Sequence, residues 1–176
     1  MNYYTLKICG FVRKLPIIKI GPKYSIASFS LLGDIDLVEV IAQELAERIK
    51  YLDFDFLIGP EIKVLPLIYQ MSHLLGHKNY VVSRKKILGY MTKPIKSDGR
   101  KPLVLNGPDA QLLEGKKVVL VNDVVSTGRT VKEMESLMTK IGVKVSAIAC
   151  VLKQGELQVK INKPFFYLQT LPLFTP

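Results

Sequence analysis

Within the nine residues Asn122–Thr130 the chain places an amide, a carboxylate, three hydroxyls and a glycine directly after the apolar run Val118–Val121. If a helix begins near Thr130, then Ser126, Thr127, Gly128, Arg129 and Thr130 wrap its start. Amides without an intrahelical partner and the positive end of the dipole make such a turn an anion site. Gly128 lets the backbone approach a guest closely, and the hydroxyls of Ser126, Thr127 and Thr130 can donate to phosphate oxygens. Just upstream, Asn122 and Asp123 can accept hydrogen bonds from sugar hydroxyls. A phosphorylated ribose satisfies both halves. The same string also reads, with about even weight on its own, as a polar turn that caps a helix. It is not a P-loop, because the spacing of that motif is absent.

A second concentration of chemistry lies between Arg84 and Lys101. Seven bases (Arg84, Lys85, Lys86, Lys93, Lys96, Arg100, Lys101) face one acid, Asp98, so six of the ten net positive charges sit in one stretch. A charge balance of this kind fits a phosphate-rich partner, nucleic acid included, or a solvated basic surface.

The elements that must position these residues alternate along the chain. Leu37, Val40, Ile41, Leu45 and Ile49 recur at helical spacing after Gly33, with Asp36 and Glu39 resembling a capping box. A strand is expected over 24–30 and another at 55–58, followed by a glycine turn and a helix through Leu67, Ile68, Met71, Leu74 and Leu75 that ends at Gly76. A strand at 79–82 precedes residues 83–116, which carry no sustained period; long segments of that kind are usually lids or disordered. Residues 116–121 form a β-branched run without alternation, as a strand buried on both faces should. A helix from about Thr130 to Ile141 and a strand after Gly142 complete the pattern. This order predicts an α/β fold with a mostly parallel central sheet flanked by helices, whose ligands sit beyond the carboxyl ends of the strands.

At 176 residues and 48% hydrophobic content the chain fits a single domain with a substantial core. Cys9 and Cys150 stand apart, without metal-ligand spacing, which suits a reducing compartment. The first sixteen residues lack the order of a signal peptide, and no run approaches a membrane span. A cytoplasmic protein without a membrane partner is expected.

The stretch VVLVNDVVSTGRT resembles the phosphoribosyl pyrophosphate (PRPP) motif of the type I phosphoribosyltransferases, in which four apolar residues precede two acids, two apolar residues and a T-G-x-T turn. GPEIKVLP (59–66) is similar to the family's pyrophosphate loop and VVSRKK (81–86) to the entry of its mobile catalytic loop, here about 84–108. The strand-R-K-K entry is most similar to the adenine phosphoribosyltransferase-like members. The resemblance implies one domain over 1–176 with a hood from about 1–33 and 155–176, a homodimer, and transfer of phosphoribose from PRPP to a purine with release of pyrophosphate in nucleotide salvage. It also implies Mg²⁺ bound through PRPP rather than by a protein cluster. By the same match Lys63, Arg84 and Lys85 handle the pyrophosphate, with Lys86 beside them, and Asp123 and Asn122 hold the ribose. Residues 126–130 hold the 5′-phosphate, and Val124 and Val125 pack on the nucleobase.

Asn122 departs from the family's paired acids, and the departure supports a second reading, a PRPP-sensing regulator of the same fold that binds nucleic acid. Ser126 stands where hypoxanthine-guanine-type relatives have an aspartate and adenine-type members a small residue, which favours an adenine-like base. Phe11, Phe29, Phe165, Phe166 and Tyr167 are candidates either to stack on that base or to fill the hood.

Overall fold

The computed structural model describes residues 2–174. Met1 and residues 175–176, the outer ends of the two expected hood segments, lie outside them. A five-stranded sheet forms the centre, in the order β10 (Phe165–Leu171), β9 (Lys144–Gln154), β8 (Lys117–Val125), β4 (Phe56–Pro60), β5 (Val81–Ser83), with every pairing parallel. Helices α1 (Ile35–Ile49) and α2 (Leu65–Leu74) lie on one side of it; α3 (Gly107–Leu113) and α4 (Arg129–Lys140) lie on the other.

The apolar run in β8 explains this layering. Val119 and Val121 enter the hydrophobic cluster with α1 and α2, whereas Val118, Leu120 and Val125 enter the one with α3 and α4. Successive side chains of a strand point to opposite faces, so a sheet covered on both sides needs apolar residues at every position. In β9, Ala147, Ala149 and Val151 likewise face one cluster and Ile148 and Cys150 the other. Burial pushes the Cys150 thiol up to about 12. Among the described residues no helix is long and apolar enough to cross a membrane.

A smaller antiparallel sheet joins β1 (Tyr3–Ile8), β2 (Phe11–Lys19), β3 (Ser25–Ala27) and β11 (Leu173–Phe174), so the first and last strands of the described residues share one layer. The tail does not belong to this layer as a whole. Phe165–Leu171 adds instead to the edge of the central sheet, where Phe165 and Tyr167 pack on the α4 side and Phe166 and Leu168 on the α1 side. That two-faced apolar pattern suits a strand of the central sheet, and only Leu173–Phe174 crosses over.

Four local expectations are corrected. The N-cap of α1 is Asp34, whose Oδ1 accepts from the Leu37 amide at 3.3 Å, and Asp36 falls inside the first turn. Arg13 forks onto the same carboxylate at 2.6 and 2.9 Å, which holds the Asp34 carboxyl below the usual aspartate range and ties β2 to α1. The strand expected over 24–30 is shorter, Ser25–Ala27. Gly59 belongs to β4 rather than to a turn: a β-carbon there would lie 2.5 Å from both the Val121 carbonyl and Ile68 Cδ1, so glycine is what lets α2 and β8 close on β4. Residues 83–116 contain a hairpin, β6 (Ile95–Lys96) with β7 (Val104–Leu105), and then α3. Two strands of two residues and a seven-residue helix are too short to show a period.

Candidate active site at the carboxyl ends of the central strands

β8 carries its polar pair inside the strand, since Asn122 and Asp123 precede Val124 and Val125 in the same ladder. Asp123 opens onto a cleft of about 570 Å³ at the carboxyl ends of β4 and β8. Glu61, Lys63, Lys85, Lys101 and Thr130 share that cleft with it. Burial raises the Asp123 carboxyl above the ordinary aspartate range; the Val124 amide, the Lys63 cation, its own amide and the Lys85 cation oppose that rise. Asn122 is only 7% exposed, lines the same cleft, and its Oδ1 accepts from the Asp123 amide at 2.9 Å.

The turn 126–130 follows directly. Gly128 is the N-cap of α4, with φ +78°, and Arg129 and Thr130 open the helix. Thr127 Oγ1 accepts from the Arg129 amide at 3.5 Å. The turn and the last residues of β8 enclose a small hollow of about 30 Å³ lined by Asn122, Val124, Val125 and residues 126–131. A segment from far along the chain covers it. The Gln158 amide donates to the Thr127 carbonyl at 3.1 Å, Gln158 Oε1 accepts from Arg129 at 3.2 Å, and Val159 packs over Gly128. No sequence pattern marks Gln158 or Val159, because their role exists only through this long-range contact.

Lys63 stands in the loop after β4, where its Nζ donates to the Phe29 carbonyl at 3.0 Å while the residue lines the cleft. The Glu61–Ile62 peptide in the same loop is cis. Across the cleft, Lys85 lines the wall; Arg84, which precedes it and does not line the cleft, is held by reciprocal backbone bonds of 2.7 Å with Val104 and pairs with Glu61 at 3.5 Å. Of the other bases in the stretch, Lys101 joins the cleft, whereas Lys86, Lys93, Lys96 and Arg100 are not among its lining. Their segment is docked on α4 instead: Ser97 Oγ donates to Glu133 at 2.5 Å, the Gly99 amide donates to the same oxygen at 3.2 Å, and Lys140 bonds the Lys96 carbonyl at 2.8 Å and Asp98 at 2.5 Å.

Val124 and Val125 part company. Val124 lines the cleft, but Val125 is 2% exposed and belongs to the core on the α4 side, because adjacent strand residues face opposite ways. The aromatic candidates are likewise placed elsewhere. Phe29 is buried in the core, and Phe11, Phe165, Phe166 and Tyr167 pack against it. Facing the turn 126–130 are Ile20 and Tyr24 from the connection between β2 and β3, Ile26 from β3 and Leu173 from β11. With Ser126, Thr127 and Gln154 they bound a second cleft of about 500 Å³.

Among the described residues no group of three or more His, Cys, Asp or Glu side chains could hold a metal ion. The cleft nevertheless offers hard oxygen donors in Asp123 and Asn122. That donor set fits Mg²⁺, which keeps several waters and is commonly bound by one or two carboxylates together with substrate phosphates.

The model of the phosphoribosyl transferase domain matches residues 32–174. The chain is 32% identical over 163 residues to a hypoxanthine/guanine phosphoribosyltransferase of a Methanocaldococcus species, covering 86% of this chain and 76% of that one. It is 26% identical over 140 residues to an orotate phosphoribosyltransferase of Caldicellulosiruptor saccharolyticus, covering 80% of this chain and 65% of that one. The chain thus spans somewhat less than two thirds of the length of that relative, and of similar orotate enzymes at 64% and 66%. In shape it is similar to the crystal structure of adenine phosphoribosyltransferase from Thermoanaerobacter pseudethanolicus, with a TM-score of 0.73 at 21% identity over 89% of this chain and 95% of that one.

Proposed function

Since the chain belongs to the phosphoribosyl transferase domain family, we propose that it transfers the phosphoribosyl group of PRPP to an adenine-like purine, releasing pyrophosphate and forming a nucleoside monophosphate. The observation that carries this reading is the single cleft shared by Asp123, Asn122, Lys63 and Lys85, which continues through Thr130 into the turn 126–130.

In the proposed reaction the bond from C1′ to the pyrophosphate oxygen breaks, the bond from C1′ to a ring nitrogen of the base forms, and that nitrogen's proton leaves to solvent. Positive charge grows on the sugar and negative charge on the leaving group, so fixed cations and exclusion of water matter more than a protein nucleophile. Ser126, Thr127, Gly128, Arg129 and Thr130 grip the 5′-phosphate with amides, hydroxyls and one guanidinium. Asp123 accepts from the ribose hydroxyls and, as the carboxylate nearest the sugar, faces its developing charge. Lys63 and Lys85 receive the pyrophosphate from two walls, with Lys101 beside them and Arg84 next to Lys85, paired with Glu61. Asp123 and Asn122, together with the substrate oxygens, would hold Mg²⁺, which when bound would neutralise charge on the leaving group.

The base fits the second cleft, next to Ser126, where Ile20, Tyr24, Ile26 and Leu173 offer an apolar wall and Gln154 a polar one. Relatives that carry the names orotate, hypoxanthine/guanine and adenine phosphoribosyltransferase point to different bases. The choice of adenine therefore rests on the small side chain at Ser126. A homodimer in a reducing, cytoplasmic setting completes the proposal; the exposed Leu32, Ile35 and Tyr69 give a second copy an apolar face.

The test is product formation from PRPP and Mg²⁺ with adenine, hypoxanthine, guanine and orotate in parallel. Adenosine monophosphate is the expected product, and Lys63→Ala lowers its rate. A preference for a 6-oxopurine or orotate would overturn the base assignment while keeping the transfer reaction. No product with any base, together with tight, salt-sensitive nucleic-acid binding, would favour the regulator.

A further inference from the structure

Glu61 is, with Asp123, one of two acids in the wall of a cleft that also carries three lysines. It lines that cleft with Lys63, Lys85 and Lys101, so a bound pyrophosphate would meet a carboxylate among the lysines. Its contacts show how that charge is used. Oε1 accepts from the Lys85 amide at 2.9 Å, and Oε2 pairs with Arg84 Nη1 at 3.5 Å. Its own amide donates to the Ser83 carbonyl at 2.9 Å, continuing the ladder that pairs Pro60 with Ser83. The Arg84 main chain is fixed from the other side by Val104. With the backbone held by both ladders, the carboxylate decides where the Arg84 guanidinium turns and how Lys85 leaves the strand.

We infer that Glu61 is a positioning residue for pyrophosphate: it spans from the loop after β4 to the start of the basic segment and presets Arg84 and Lys85 against the leaving group. This rests on the phosphoribosyl-transfer reading above. Preset cations spare the reaction the cost of ordering long side chains as the leaving group gathers charge. The carboxylate repels the anion less than its charge suggests, since it is already committed to Arg84 and to an amide.

The experiment is calorimetric titration of Mg²⁺-pyrophosphate into the wild type, Glu61→Ala, Glu61→Gln, Arg84→Ala and the Glu61→Ala/Arg84→Ala pair, with turnover measured alongside. Glu61→Ala is expected to weaken pyrophosphate binding about tenfold, on the scale of one lost charge-assisted hydrogen bond. Glu61→Gln, whose amide oxygen still accepts from Lys85, loses less. The double variant falls short of the product of the single effects, because both changes remove the same arrangement. In turnover, kcat drops while KM for the base stays. Pyrophosphate binding by Glu61→Ala equal to or tighter than the wild type would overturn the inference and leave Glu61 as a plain repulsive charge. Should Glu61→Ala fail to fold, Glu61→Gln decides: unchanged affinity and kcat in it overturn the inference. A wild type that does not bind pyrophosphate at all overturns the reading underneath.

Discussion

Val159 lies directly over Gly128: a β-carbon built on that glycine would stand 2.3 Å from Val159 Cγ2, and the glycine backbone is left-handed, with φ +78°. Two independent constraints therefore converge on the residue that starts α4. Gly128→Ala should cost at least about 1 kcal/mol for the left-handed backbone alone, with the contact to Val159 added to it. Chemical denaturation checks the sum. Adding Val159→Ala should recover the contact part and leave the backbone part, so the double variant is expected to lie between Gly128→Ala and the wild type. A double variant no better than Gly128→Ala would show that Val159 does not press on the turn.

Asp123 links stability to pH. Its folded-state carboxyl titrates above the ordinary aspartate range because burial disfavours the charge. The folded state thus holds its proton more tightly than the unfolded chain, and stability rises as pH falls through the raised value. Asp123→Asn should accordingly be more stable than the wild type at neutral pH, with the difference shrinking as pH falls through that raised value and gone below the unfolded aspartate range. Thermal midpoints measured from neutral to acid pH test this. An equal or lower midpoint for the variant at neutral pH would mean that Asp123 is better compensated than its surroundings indicate.

Glu133 holds the basic segment against α4. One of its oxygens takes both the Ser97 hydroxyl and the Gly99 amide, and Ser97 Oγ in turn accepts from the Leu103 amide at 2.9 Å. Glu133→Ala should free residues 95–103, seen as faster amide exchange and quicker tryptic cutting at Lys96 and Arg100, with the thermal midpoint little changed. Gly99→Ala should have the same effect for a steric reason, because its β-carbon would overlap the Glu133 carboxylate. Exchange confined to other segments would contradict the docking.

The parts of this fold that the sequence made legible are those set by local pattern. Val118–Val121 could be read as a strand covered on both faces because every position is apolar, and the helical spacing from Leu37 to Ile49 is strong enough to define α1. The polar string after Val121, which on its own reads equally well as a helix-capping turn, was legible as a candidate site through its order with GPEIKVLP and VVSRKK. What escaped depends on partners distant in the chain. Asp34 rather than Asp36 caps α1 in part because Arg13 reaches it across 21 residues. Gly59 looks like a turn residue until Val121 and Ile68 are packed against it. Phe165–Leu171 reads as hood until its register with β9 is known. Glu61 could have been noticed as the one acid of its motif, but its pairing with the backbone of Lys85 lies 24 residues away.

The central claim is that Asp123 and the turn that follows it form the ribose-5-phosphate site, and the most direct measurement is PRPP affinity, with Mg²⁺ present, for the wild type and Asp123→Ala. A carboxylate that accepts from ribose hydroxyls inside a half-buried cleft contributes charge-assisted hydrogen bonds of about 1.5–3 kcal/mol each. The account predicts that the wild type binds PRPP and that Asp123→Ala, still folded, loses detectable binding. PRPP affinity that survives the substitution within twofold would contradict it.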